Sequence, residues 1–209
     1  MTRNSNKRTT EYFLSGQPVI KKSLVEEKLA DRRTNLFYLG FLGVLFLLML
    51  TIVCVNTFLF AFVNVKGKSM EPTLYTGDLL VANRTKEVTR GSIVIIKDEN
   101  PDDWLIKRVI GLPGETLLIE DGYVYILEGA TKHKLDEPYV KELGVTKVEN
   151  SFAQRLFKIP DGEYFYLGDN RGNSTDSRTY GTCSKEQIVG VVEQWSIDLT
   201  KWVRSIKNR

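Results

Sequence analysis

Histidine is almost absent: the 209 residues hold one, His133, which lies between Lys132 and Lys134 in a polar stretch. A Ser-His-Asp triad would have to be built on that exposed-looking residue, and a histidine-rich metal site has no second ligand. No His-Glu-x-x-His run and no Cys-x-x-Cys pair occurs either, so neither a metal nor any other cofactor is expected. Cysteine is as scarce, with Cys54 and Cys183 only. Cys54 falls inside a long apolar run and Cys183 far downstream, which excludes an internal disulfide on geometry. Any exported domain must therefore hold by its core alone, and its length allows this. Basic residues make no stripe outside the N-terminal tail, so a nucleic-acid partner is not expected. Gly67-Lys68-Ser69 resembles the end of a phosphate-binding loop, but the required earlier glycine is Phe62, and Pro72 stands where a helix should open.

Charge is missing from one place in particular. Residues 37–63 contain none in 27 positions, and Asn56 is their only strongly polar side chain. As a helix this run would extend about 40 Å, more than the roughly 30 Å of hydrocarbon in a bilayer. A cleaved leader would have a shorter apolar stretch, a shorter preceding segment and a small-x-small site after it. A retained transmembrane helix over residues 37–63 is expected instead. Residues 1–36 carry eight Lys/Arg against four acids, so the tail is +4 and the remainder, from a total of +3, is −1. Basic flanks stay cytoplasmic. The expected topology is a single pass through the cytoplasmic membrane, with the tail (1–36) inside and residues 64–209 outside.

Beyond the run, short apolar segments alternate with turn signals. Strands are expected over residues 78–82, 92–96, 104–110, 116–120, 123–127, 164–167 and 188–194. Asp121-Gly122 between two alternating segments predicts a hairpin. The fold class that follows is mainly β: a folded-over antiparallel sheet, or barrel-like domain, behind one N-terminal membrane helix. Residues 128–158 are more polar and read as a small insertion. The C-terminal stretch mixes Trp195, Ile197, Leu199 and Trp202 with Lys and Arg, and reads as a short terminal helix packed in the ordinary way.

Ser69 lies six residues beyond the apolar run. A serine hydroxyl is a weak nucleophile until a base takes its proton, and a neutral lysine amine does this if burial lowers its pKa from about 10.4. Lys107 sits in Trp104-Leu105-Ile106-Lys107-Arg108-Val109-Ile110, and strand alternation places it with Leu105 and Val109. An edge-strand lysine reaching out to water fits the same residues. A third block, Leu167 to Arg178, is dense in Gly, Asp, Asn and Ser. It reads either as a solvated loop or as a hydrogen-bonded one, with Asp169 and Asp176 free to pair arginines.

Four blocks in order, behind one N-terminal span, resemble the bacterial type I signal peptidases. They are Gly67-Lys68-Ser69-Met70-Glu71-Pro72-Thr73-Leu74, Arg90-Gly91-Ser92-Ile93-Val94, Lys107-Arg108-Val109-Ile110-Gly111-Leu112-Pro113-Gly114-Glu115, and Gly168 to Arg178. The resemblance implies a membrane-bound serine endopeptidase that removes signal peptides after small residues, in an Ala-x-Ala pattern. It implies Ser69 as nucleophile, Lys107 as general base and Ser174 as the group orienting the amine. It pairs Asp169 with Arg108 and Asp176 with Arg178, and makes Met70 and Ile106 walls of a shallow substrate pocket. The implied partners are preproteins bearing signal peptides and the lipid bilayer; a monomer is expected. Two positions depart from the family: Gly67 replaces a serine that assists the oxyanion in some members, and Ser92 stands where an acid is frequent. Two rival readings accompany this one. One is an inactive membrane-anchored β-domain that binds partners; the other is a Ser-Lys protease that cleaves itself or a regulator.

Overall fold

The structure is a computed structural model that describes residues 19–97, 104–148 and 156–207. Residues 1–18 of the expected tail and 149–155 of the expected insertion lie outside the described residues. The chain divides into two units, residues 1–55 and 56–209.

The described part of the first unit is helical. Helix α1 runs Val19–Leu59 without a break, so it begins well before the apolar run. From Leu36 to Val55 its large apolar side chains are exposed, Phe37 at 74 % and Val44 at 67 % among them. Water does not favour such a surface, and its stretch Lys28–Leu59 is long and apolar enough to cross a membrane. The helix stops at Leu59, short of residue 63. Phe60 to Asn64 instead form strand β1, with Ala61 and Val63 buried and Phe62 and Asn64 exposed. An alternating segment of that kind buries one face on a sheet, which a helix would not allow. Hydropathy alone merged the two elements.

The second unit is two antiparallel sheets. The larger is ordered β1-β2-β11-β3-β4-β9-β10, using Leu79–Asn83 (β2), Ile93–Lys97 (β3), Trp104–Gly111 (β4), Glu163–Leu167 (β9), Cys183–Ser184 (β10) and Ile188–Val192 (β11). The smaller is ordered β7-β6-β5-β8, from Thr116–Glu120 (β5), Tyr123–Glu128 (β6), Thr131–Lys134 (β7) and Leu156–Lys158 (β8). Asp121 (φ 51°) and Gly122 (φ 80°) make the β5–β6 turn in the left-handed region that such hairpins need. Strands β7 and β8 come from the polar stretch 128–158, which the sequence pattern leaves without strands.

Three apolar clusters fill the unit. One joins Val63, Val65, Met70, Leu74, Leu80 and Ile106; a second joins Val94, Val109, Tyr166 and Val191. The third, with Ile110, Leu117, Val124, Ile159, Phe165 and Leu167, takes residues from both sheets. Helix α3, Gln194–Lys207, buries Ser196, Ile197 and Thr200 and leaves Trp195, Leu199, Trp202, Val203 and Ile206 exposed.

Candidate active site

Strand β1 runs into a loop that β2 closes. Val65 N–H donates to Asp78 (2.9 Å), Gly77 N–H donates to Val65 (2.9 Å), and Thr76 Oγ1 donates to the Gly67 carbonyl (2.9 Å). Gly67 takes φ +84°, a conformation unfavourable to any residue with a Cβ. From it the chain folds into a tight turn over residues 69–73, anchored by the buried side chains of Met70 and Leu74. Ser69 therefore sits half-buried at the head of a turn whose underside is core. Among the described residues nothing accepts from the Ser69 N–H.

Lys107 comes from β4, which is paired on both sides, by β3 (Val94 opposite Lys107) and by β9. It is an interior strand, and the edge-strand reading is excluded. Lys107 is 4 % exposed, and its Nζ lies 2.8 Å from Ser69 Oγ. Burial pushes the amine below the ordinary lysine range; nearby Asp176 opposes this and Arg178 adds to it. Between that lowered pKa and the model-compound value of 10.5 the folded chain binds fewer protons than the unfolded one. Stability therefore rises with pH across this window, because removing the proton that the buried amine cannot keep costs less as pH rises. Lys107→Met is expected to raise Tm by a few degrees at neutral pH and to flatten that pH dependence. Thermal unfolding of both forms from pH 6 to 10 checks it; a lower Tm for the variant at neutral pH refutes it.

Strand β9 delivers the third block. Leu167 pairs with Arg108, so Asp169, two residues on, falls beside the guanidinium. Arg108 donates to it twice, Nε to Oδ1 (2.8 Å) and Nη2 to Oδ2 (2.7 Å), and Thr73 Oγ1 adds a bond to Oδ2 (2.5 Å). Asp176 caps the short helix α2, Ser177–Tyr180, and takes two side-chain bonds from Arg178, at 2.8 and 2.9 Å. Asp169 and Asp176 have no exposed surface. Both expected pairs are thus formed, and forked pairing fixes orientation as well as charge. The loop also grips the nucleophile turn: Asn170 N–H donates to the Ser69 carbonyl (2.9 Å), and its Nδ2 to the Lys68 carbonyl (3.1 Å).

Ser174 stands differently. Its hydroxyl makes no hydrogen bond to Lys107; it is the one buried side-chain polar atom among the described residues with no partner. It packs on Gly168, where a Cβ would come within 2.3 Å of Ser174 Oγ and 2.5 Å of the Ser69 carbonyl oxygen. Met70 and Ile106 lie buried in one apolar cluster beneath the turn, 2 % and 8 % exposed.

Pattern reading did not single out Glu137, Tyr139, Thr146 or Arg171, all of which touch this site's supports. Arg171 donates to Glu137 and Thr146, and the Tyr139 ring lies 3.9 Å from the Arg108 guanidinium. Arg171 lay inside a quoted block, and a lone arginine in a loop of small polar residues asks for a carboxylate. Glu137 carries no local signal, being 34 residues away from it.

A serine hydroxyl in contact with a buried amine, beside a charge-paired loop, is an arrangement of the kind that acyl transfer uses. Known proteins resemble this chain over most of its length. The family described as "Signal peptidase, peptidase S26" matches residues 38–196. Signal peptidase I T of Bacillus subtilis is 37 % identical over 182 residues, 81 % of this chain and 90 % of that protein. Signal peptidase I of Bacillus licheniformis is 34 % identical over 179 residues, 80 % of this chain and 91 % of that protein. A crystal structure of a signal peptidase I from Enterococcus faecalis V583 is 31 % identical, covers 52 % of this chain and 98 % of that one, and gives a TM-score of 0.41.

Proposed function

The chain belongs to the signal peptidase family, peptidase S26, and is a serine-type hydrolase; from that premise we propose that it removes signal peptides through a Ser69–Lys107 dyad. The observation that carries the reading is the 2.8 Å contact between Lys107 Nζ and Ser69 Oγ, made by an amine that is 4 % exposed. With the amine neutral, Ser69 O–H donates its proton to it and Oγ attacks the scissile carbonyl carbon. The tetrahedral oxyanion is met by the Ser69 N–H, which is without another partner among the described residues. Collapse expels the amine of the mature protein, protonated by Lys107, and leaves an acyl ester on Ser69. Lys107, neutral again, takes a proton from water, which hydrolyses the ester and restores both groups. Asp169 with Arg108 and Asp176 with Arg178 hold the loop against the base. Ser174 supports the amine's position from across Gly168.

Cleavage follows small side chains at the first and third positions before the cut, with Met70 and Ile106, buried in one apolar cluster, walling the pocket that takes the first of them. The substrate's extended segment adds beside a strand of the enzyme. The helix crosses the cytoplasmic membrane with the basic tail inside and the β unit outside, so a signal peptide's apolar helix and the enzyme share one bilayer. The partners are preproteins and lipid, and the working unit is a monomer.

The test is the pH profile of kcat/KM on a precursor peptide in lipid or detergent, with Ala or Phe at the first position before the cut. Activity rises with pH as Lys107 loses its proton, with a midpoint below the ordinary lysine range, and the Phe substrate is refused. A midpoint at the usual lysine value, or equal cleavage of both substrates, defeats the reading.

A further inference from the structure

We infer that Arg171 is a positioning residue for the Ser69–Lys107 pair, and that residues 137–147 brace it; this rests on the dyad reading above. The critical spot is Gly168. Its Cα side faces the Ser69 carbonyl and the Ser174 hydroxyl so closely that no side chain fits between them. Its peptide groups are held from both ends. The Gly168 N–H donates to Asp176 Oδ2 (3.0 Å), and the Gly168 carbonyl accepts from Arg171 Nε (3.1 Å). The first tie leads to the Asp176–Arg178 pair already described; the second leads elsewhere.

Arg171 has a fully buried side chain and spends its remaining nitrogens on the segment that follows β7. Nη1 donates to Glu137 Oε2 (3.0 Å) and to Thr146 Oγ1 (2.8 Å), while Nη2 pairs with Glu137 Oε1. That segment reaches the site's other two arginines as well. Tyr139 donates its hydroxyl to Glu137 (3.0 Å) and lays its ring against the Arg108 guanidinium at 3.9 Å. Arg178 Nη1 donates to the Lys147 carbonyl (2.9 Å). Residues 137–147 thus tie together the arginine that pairs Asp169, the one that pairs Asp176, and the one that pins Gly168.

A buried ion pair adds little net stability, because both charges lose their water. It is effective at fixing geometry, because an arginine fork accepts few orientations of its carboxylate. Releasing the Gly168 carbonyl would let Ser69 drift, since Asn170, the next residue but one, donates to the Ser69 carbonyl. A misplacement of about 1 Å at a reacting atom lowers rate by about 100-fold. A loosened loop would also admit water to Lys107 and so raise its pKa.

The experiment uses the full chain in detergent micelles with a precursor peptide, in Arg171→Ala, Arg171→Lys and the near-isosteric Glu137→Gln, which keeps the proposal testable should Arg171→Ala not fold. Active sites are counted by acylation of Ser69 with a penem. Expected are a kcat per site lowered about 100-fold in Arg171→Ala and about 10-fold in Glu137→Gln. Arg171→Lys falls between them, KM stays within about two-fold, and the acid limb of the kcat profile moves to higher pH. A kcat per site within about two-fold of wild type, or a lowered kcat with an unmoved acid limb, overturns the inference. Ser69→Ala is the control for the reading beneath it: cleavage that survives this change removes the dyad, whereas Ser69-dependent cleavage at wild-type kcat in all three Arg171 and Glu137 variants removes only the brace.

Discussion

Ser69→Ala and Lys107→Met are each expected to lower cleavage of a precursor by about 10⁴-fold or more, and the double variant to lose hardly more than either. The reason is that neither group works alone. Without Lys107 the serine hydroxyl keeps its proton near neutrality; without Ser69 the amine has nothing to activate. Groups that act as a unit give non-additive losses, so the double variant is the informative one. Both single variants should fold, because Ser69 is half-buried in a turn built on Met70 and Leu74, and a methionine fills the lysine's buried stem. Kinetics on a precursor peptide check this. Strictly multiplicative losses would mean that the 2.8 Å contact is incidental.

Gly168→Ala comes second. An added Cβ would sit 2.5 Å from the Ser69 carbonyl oxygen and 2.3 Å from Ser174 Oγ. Ser174 Cβ would lie 2.6 Å away, where side-chain rotation gives no relief, and the carbonyl is backbone, held already by Asn170, so the turn must move. Overpacking of this kind costs about 1–3 kcal/mol of stability. The kinetic effect is larger, about 100-fold or more in kcat, because the displaced group is the nucleophile's own peptide. Gly172→Ala is the matched control, since nothing lies within 4 Å of its added Cβ. Equal activity of the two variants would show that the close approach at Gly168 does not set the geometry.

Much of this was legible in residue order. Short apolar runs ended by Gly and Asp turns located β3, β4, β9 and β11, which are buried on both faces and so leave nearly continuous apolar runs, while β5 and β6 carry the alternation that the pleat imposes. The β5–β6 hairpin was readable from Asp121-Gly122, which must both adopt positive φ. Strand β1 was hidden by its neighbour: Phe60 to Val63 are as apolar as the helix before them, and only pairing with β2 separates the two. Strand β7 escaped for the opposite reason, since Thr-Lys-His-Lys is exposed along its whole length and carries no apolar signature, and β8, Leu156–Lys158, has three residues, too few to show a pattern. At the site, Ser69, Lys107, Asp169 and Asp176 stood in the blocks that carry the family resemblance. Glu137 and Tyr139 did not, because a residue that acts only through long-range pairing leaves no local pattern. Ser174 was expected to orient the amine; its hydroxyl, without a partner among the described residues, packs on Gly168, a relation no spacing encodes.

The dyad is tested most directly by the rate at which a penem acylates Ser69, followed by intact mass and peptide mapping across pH 5 to 10. The expected result is a single adduct on Ser69 whose rate climbs along one titration curve with a midpoint below the ordinary lysine range, and which Lys107→Met abolishes. An adduct on another residue, or a wild-type acylation rate in Lys107→Met, would contradict a lysine-activated Ser69.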